Sequence, residues 1–301
     1  MSNSTSIQNK LPLSVRLTLV VPSVVFLCLF LYFITVIIRV YWNTPHVRET
    51  SRYILFFHML MYDTLYLLVG FLLLMTSQLS LTMLISICYI LVAIVETTFL
   101  ITPYILAAMA LERYISVCFP LRHVQLCTTQ RSNITVVVLW MISLTLKVVD
   151  FTLLAKAVNR DFFGHYVVCN RYVLIVSPVQ SLVGICKTML SLASVGLVML
   201  YTYIRILMVA LKISSGKSSA QKASKTVLLH AFQLLLYIIS LTSSTVEDRF
   251  AEYKIVIQFI AYLVFMCFPR FIGPLIYGLR DKAFRKCIQK TLGVGLYNKR
   301  L

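Results

Sequence analysis

The stretch "MLISICYILVAIVETTFLITPYILAAMALERYISVCFPLRH", Met83–His123, decides the fold. Its first 29 residues, Met83–Leu111, hold one charge, Glu96, and then Glu112 and Arg113 stand side by side. About 20 apolar residues cross the hydrocarbon core of a bilayer as a helix, so this run is long enough to span. The two opposite charges behind it have two readings. They are an ordinary helix end meeting water, or a latch that holds one state of a switch.

Composition generalises the first half of that reading. The 301 residues are 59% hydrophobic and 13% charged, with a mean hydropathy of +0.87. No soluble single domain buries so large an apolar share, so a polytopic membrane protein is expected. Seven runs are long enough to span: Leu17–Ile38, Tyr53–Met75, Met83–Leu111, Ile134–Ala155, Pro178–Ile204, Ala223–Leu241 and Ile255–Gly278. Backbone groups in lipid must be satisfied within the segment, which makes these runs helices and the fold an all-α bundle. The first run is too long for the core of a signal peptide, and residues 1–16 are polar. One domain is expected, with 1–16 extracellular, 17–278 forming the seven-helix bundle and 279–301 a cytoplasmic tail.

Charge gives the orientation. With the N-terminus outside, 18 of the 28 Lys and Arg fall on inner segments and the tail, and 7 on outer segments. That asymmetry obeys the positive-inside rule. Much of the net charge of +18 is then a topology signal facing anionic membrane lipid. A nucleic-acid footprint is not supported, because the charges sit between spans and not on one soluble face. Asn3-Ser4-Thr5 is a glycosylation sequon on the outer side. Asn133-Ile134-Thr135 also fits but abuts the fourth span on the inner side, and is read as chance.

The third inner segment, "LKISSGKSSAQKASK", contains "GKSS". A phosphate-binding loop needs a glycine five residues before Gly216, where Leu211 stands, so this is a solvated basic loop. Past the seventh span, "DKAFRKCIQKTL" puts Phe284, Cys287, Ile288 and Leu292 on one face and Lys and Arg opposite. That suits a short helix on the inner membrane surface, with Cys287 either palmitoylated or packed unmodified. Of eight cysteines only Cys88 and Cys169 fall in outward-facing positions. The oxidising outer side implies a disulfide between them.

Seven spans with that bridge resemble the rhodopsin-like (class A) G-protein-coupled receptors, and particular motifs narrow the likeness. "MALERYISVCFPLRH" resembles the third-helix motif M-A-x-D-R-Y-x-x-x-C-x-P-L of odorant (olfactory) receptors through Met109, Ala110, Arg113, Tyr114, Cys118, Pro120 and Leu121. "KASKTVLLH" is similar to their sixth-helix signature through Lys222, Ala223, Thr226 and His230. "GPLIYGLRDKAFRK" is similar to their seventh-helix ending through Pro274, Tyr277, Leu279 and Arg280, and Tyr53 to Asp63 keeps a second-helix spacing. "ETSRYILF" and "LERYISVCFPLRH" look like a divergent group of fish odorant receptors. The chain departs from the pattern where Ile34 or Thr35 stands near the first-helix Asn, and where Gly273 replaces the seventh-helix Asn. The second outer loop holds one cysteine where many relatives have three, and no proline interrupts the sixth span.

Four groups of intramembrane residues are candidates, because an ionisable side chain inside a span faces the bundle interior. Asp63 and Arg270 lie near mid-membrane. In the resembled family the second-helix acid supports a polar network, often with sodium, and an Asp63–Arg270 pair would replace the ion. Glu96 lies eight residues inward of Cys88, about 12 Å along a helix, at the depth where rhodopsin-like receptors bind ligands. Lys187 and Asp150 lie near it. Glu96 and Lys187 either neutralise one another or hold opposite ends of a charged or zwitterionic waterborne ligand. The resemblance implies that Arg113 is held by Glu112 in the inactive state and meets the G protein, with Tyr114, when active. It also implies that Tyr203 and Tyr277 reorganise toward Arg113. As aromatic residues at a membrane boundary both tyrosines would be unremarkable.

The reading that follows is an odorant receptor, without cofactor, in the plasma membrane of olfactory cilia. Its partners would be a small-molecule odorant, a stimulatory olfactory-type heterotrimeric G protein and membrane lipid. A receptor for a peptide or amine is the neighbouring alternative. A transporter or channel should show inverted repeats or broken helices, and neither is evident. Retinal would need a lysine in the middle of the seventh span, where Cys267 stands. No metal cluster, triad spacing or phosphate loop points to an enzyme.

Overall fold

The computed structural model describes residues 13–212, 232, 235, 236, 238 and 254–273. Five long helices are described: α1 (Leu13–Asn43), α2 (Ser51–Gln78), α3 (Ile85–Cys118), α4 (Thr129–Ala157) and α5 (Pro178–Lys212). Each contains a stretch long and apolar enough to cross a membrane. The seventh expected span is present as helix over residues 254–273. The sixth span apart from four isolated positions, the Lys222–His230 signature, and the 279–292 amphipathic segment lie outside the described residues. So do Asn3, Tyr277 and Cys287.

The helices are longer than the apolar runs that signal them. Arg52, which precedes the second apolar run, is inside α2, and Arg113 and Arg205, which follow the third and fifth, are inside α3 and α5. A helix continues past the hydrocarbon core for as long as its backbone bonds itself, whatever the side chains meet. Local chemistry sets the ends instead. Thr128 caps α4 by accepting from the Arg131 backbone N–H at 3.3 Å. Ser177 accepts from the Gln180 N–H at 3.2 Å while the Gln180 side chain accepts from the Val176 N–H at 3.2 Å. With Pro178 as the first helical residue this is a reciprocal cap. Pro22 and Pro103 sit inside α1 and α3. Each removes one backbone donor, which neighbouring helices and hydroxyls make tolerable in a membrane. Beside Pro103, Thr98 donates to the Ile94 carbonyl at 2.8 Å and Thr102 to the Thr98 carbonyl at 3.1 Å.

Met83 and Leu84 correct the expected start of the third span. Thr82–Leu84 forms a short strand, β1, antiparallel to β2 (Tyr166–Val168), with Met83 opposite Val167. The Cys88–Cys169 disulfide follows directly, with the Cα atoms 5.4 Å apart. Strand pairing and bridge together pin the α4–α5 connection over the end of α3. Around them pack Ile85, Val92 and Leu174, all buried.

The main core joins α1, α2, α3 and the 254–273 helix, through Phe30, Leu60, Leu67, Ile101, Ile105 and Phe259. Large apolar side chains remain on the outside of α4 and α5: Met141, Val148, Leu182, Leu190 and Leu197 are each 60–73% exposed. A soluble protein would not leave so many of them uncovered. Acyl chains cover them in a bilayer, and the chain is a multi-pass membrane protein.

Candidate functional site

Five charges meet at the disulfide end of the bundle. Lys147 and Asp150 are three residues apart on α4, on one face, and the Lys147 ammonium lies 3.1 Å from Asp150 Oδ2. Glu96 reaches from α3 to the Lys147 ammonium. Lys187 comes from α5 and donates to the same Asp150 oxygen at 2.5 Å. Arg171 follows the disulfide by two residues, at the start of a single-turn helix (Arg171–Leu174) that Asn170 caps by accepting from the Val173 N–H at 3.0 Å. Its Nε lies 3.1 Å from the other oxygen of Glu96. The charges form one alternating chain, Arg171–Glu96–Lys147–Asp150–Lys187. The side chains of Lys147 and Lys187 are each 11% exposed, a depth at which an unpaired ammonium would be costly.

Glu96 and Lys187, expected either to neutralise one another or to hold opposite ends of a ligand, are joined indirectly. Both are in the same network, but Asp150 and Lys147 stand between them. The physical reason is Lys147, which lies between two acids and neutralises part of each. Lys147 and Arg171 were not among the candidates that depth in the bundle singles out. The signal for the first was the Lys147-x-x-Asp150 spacing on one helix face. For the second it was closeness to Cys169.

A cavity of about 280 Å³ opens beside this chain of charges. Tyr66, Val92, Phe99, Leu100 and Met266 give it apolar walls, and Glu96, Arg171 and Lys187 give it charge. A smaller space of about 100 Å³ adjoins it, bordered by Lys147, Asp150 and Gln180 and sharing Glu96, Arg171 and Lys187 with the larger one. Few convergent polar groups in an apolar hollow are the usual form of a small-molecule site.

Tyr66 and Phe99 also touch what lies deeper. The Arg270 guanidinium sits 4.3 Å from the Tyr66 ring centroid and 5.3 Å from that of Phe99. Arg270 Nε is 3.9 Å from Asp63 Oδ1, and Thr102 donates to that oxygen at 3.3 Å. Both charged residues are buried, Arg270 at 1% exposure. The cation is received by a carboxylate, by two ring faces, each worth about 1–2 kcal/mol, and by the Phe265 carbonyl, to which Nη1 donates at 3.4 Å. Just before Arg270 the helix widens to a π-turn over Tyr262–Cys267. Such turns recur at functional sites, and here Tyr262 and Met266 of the π-turn line the cavity. The Tyr262 hydroxyl donates to the Leu67 carbonyl of α2 at 3.1 Å.

At the opposite end, Glu112 is buried and lies 2.9 Å from His123 Nε2. The expected local partner was the neighbouring Arg113. Adjacent residues on a helix point about 100° apart and do not face one another, so Glu112 finds a group on the following short helix, Pro120–Leu126. Tyr114 packs edge-on against Phe119 and Tyr201, with centroids 5.7 and 5.8 Å away. Tyr203 packs with Tyr114 and Val117 around the buried Ile206. Cys127 lies close by, outside the spans; burial, and then the Glu112 carboxylate, push its thiol pKa up, partly offset by Arg131. Among the described residues no group of His, Cys, Asp and Glu is placed to hold a metal ion.

A family model described as "Olfactory receptor" matches residues 55–294. The chain is 29% identical over 219 residues to "Odorant receptor 131-2" of Danio rerio, covering 70% of this chain and 66% of that protein. It is 26% identical over 195 residues to human "Olfactory receptor 2AT4", covering 63% and 60%. To human "Olfactory receptor 1L3" it is 27% identical over 210 residues, covering 64% and 60%. The matched part thus spans somewhat less than two thirds of the length of these relatives.

Proposed function

The chain belongs to the olfactory receptor family, and on that premise we propose that it is an odorant receptor. It binds a small, charged, waterborne ligand in the cavity at the disulfide end and activates a stimulatory, olfactory-type G protein at the Arg113 end. The observation that carries the reading is the cavity, which sets Glu96, Arg171 and Lys187 against aromatic and aliphatic walls. A volatile hydrocarbon would give no reason for charges at that depth. The basic inner segments and the bridge at the other end support an extracellular N-terminus. Kinship with olfactory receptors is what supports a place in the plasma membrane of sensory cilia.

Ligand and G protein act on one equilibrium. Binding stabilises whichever bundle arrangement contacts the ligand better, and that arrangement exposes the Arg113 end. Tyr66 and Phe99 give a physical route, because both line the cavity and both hold Arg270. Asp63 and Arg270 act as a tethered ion pair at the centre, where the side-chain cation takes the place of a free one. Glu112 with His123, and Tyr114 with Tyr203, hold the inner end.

The test is a cyclic-AMP assay in cells carrying the receptor at their surface. The panel contains amino acids, amines, nucleotides, steroids, organic acids and volatile odorants. A charged, water-soluble agonist whose response depends on Arg113 supports the reading. Activation by neutral volatile compounds alone overturns the ligand assignment.

A further inference from the structure

Among the described residues the charges at the cavity do not balance, and the imbalance has a position. Each acid in the chain Arg171–Glu96–Lys147–Asp150–Lys187 contacts two bases. Glu96 meets Lys147 and Arg171 with different oxygens, and Asp150 meets Lys147 and Lys187. Lys147 contacts both acids, while the two ends, Arg171 and Lys187, each contact only one among the described residues. These are the two bases that line the large cavity; Lys147 and Asp150 do not. Among the described residues three bases against two acids leave one positive charge, and both end bases border the cavity.

We infer that the cavity takes a monoanion, specifically a small monocarboxylate with an apolar or aromatic body. The inference rests on the receptor reading above and fixes the sign of the ligand's charge. An Arg guanidinium offers five N–H donors and a Lys ammonium three. Arg171 gives its Nε to Glu96, and Lys187 gives one contact to Asp150. What remains suits the two oxygens of one carboxylate. Tyr66, Phe99 and Met266 face the rest of the molecule. A cationic amine has no comparable partner. Among the described residues Glu96 is the one acid on the cavity, and both its oxygens are already engaged. The same accounting argues against the opposite-ends arrangement for a zwitterion, because its ammonium group would have to displace Lys147 or Arg171. Glu96 is therefore a positioning residue for Arg171, and Arg171 and Lys187 are the binding groups.

The experiment uses matched sets on full-length receptor at the cell surface: phenylpropionate, phenylpropanamide and phenylpropylamine, with hexanoate, hexanamide and hexylamine. Wild type, Lys187→Met, Lys187→Arg and Arg171→Gln are compared, with surface level measured for each. The acids are expected to be the agonists, at concentrations about tenfold or more below their amides, the scale of one lost charged hydrogen bond. Lys187→Met and Arg171→Gln shift the acid curves by about that factor and any amide curve by less, because the amide carries no charge, while Lys187→Arg keeps the preference for acids. An amine or amide acting as well as its acid overturns the charge assignment and leaves the receptor reading standing. Acid curves unmoved in both charge-removing variants overturn the assignment of the two bases. A surface-expressed receptor silent to every compound of both sets overturns the monocarboxylate class; a response of the same cells to the wider panel then keeps the receptor reading.

Discussion

The guanidinium of Arg270 lies 4.3 Å from the centre of the Tyr66 ring, and Tyr66 is also a wall of the cavity. One aromatic ring thus touches both the proposed ligand site and the buried cation at the middle of the bundle. Tyr66→Phe keeps the ring face and should keep near-normal surface level and signalling. Tyr66→Leu removes the face and should cost about 1–2 kcal/mol of stability, read as earlier thermal inactivation of solubilised receptor. Equal behaviour of the two variants would show that the ring face is not what holds Arg270.

Asp63 and Arg270 are expected to be energetically coupled. Removing one member of a buried pair leaves the other charge uncompensated, at a cost of about 3–5 kcal/mol. Asp63→Asn and Arg270→Gln should each deplete the cell surface of receptor, and the double variant should be less depleted than the two losses combined. Additive losses would remove the pair from the account.

Glu112 and His123 should behave as one unit at the inner end. If their contact restrains the resting state, Glu112→Gln and His123→Ala each raise basal cyclic AMP, and the double variant rises no further. Cys127 offers a chemical probe of the same spot. Its raised pKa leaves less thiolate at neutral pH than an ordinary thiol has, because the folded surroundings disfavour the anion. Maleimide labelling of Cys127 in opened membranes should be slow at neutral pH and accelerate as pH rises. Glu112→Gln, by removing a negative neighbour, should speed it. Identical labelling rates with and without the Glu112 charge would contradict this.

The disulfide closes a separation of 81 residues. By loop-closure entropy such a bridge stabilises by roughly 4–5 kcal/mol, and enthalpic terms modify this. Cys88→Ser or Cys169→Ser should abolish surface delivery, as measured by antibody against an N-terminal tag on intact cells. Normal delivery of either variant would show that strand pairing alone secures the loop.

Much of the architecture was legible because lipid leaves the chain few options. The long apolar runs had to be helices, and five of them are present with lengthened ends. The bridge was legible because Cys88 and Cys169 alone fell on the oxidising side. Partners were much harder to read. Glu96 was identified by depth, but its contacts come from α4 and from a loop 75 residues later, at Arg171. Likewise Glu112 had an adjacent arginine in sequence and a histidine eleven residues on in space. A helix angle, not sequence distance, decides which of them it meets. The π-turn before Arg270 has no signature in "YLVFMC", since nothing in those side chains asks for a wider turn.

The most direct measurement is guanine-nucleotide exchange on a purified stimulatory heterotrimer, with the receptor in lipid nanodiscs and phenylpropionate added. The account predicts that ligand accelerates exchange through the wild type. It also predicts that Arg113→Ala abolishes the acceleration while binding at the other end survives, measured as ligand-induced thermal protection. Ligand that protects the wild-type receptor without accelerating exchange, or full acceleration through Arg113→Ala, would contradict it.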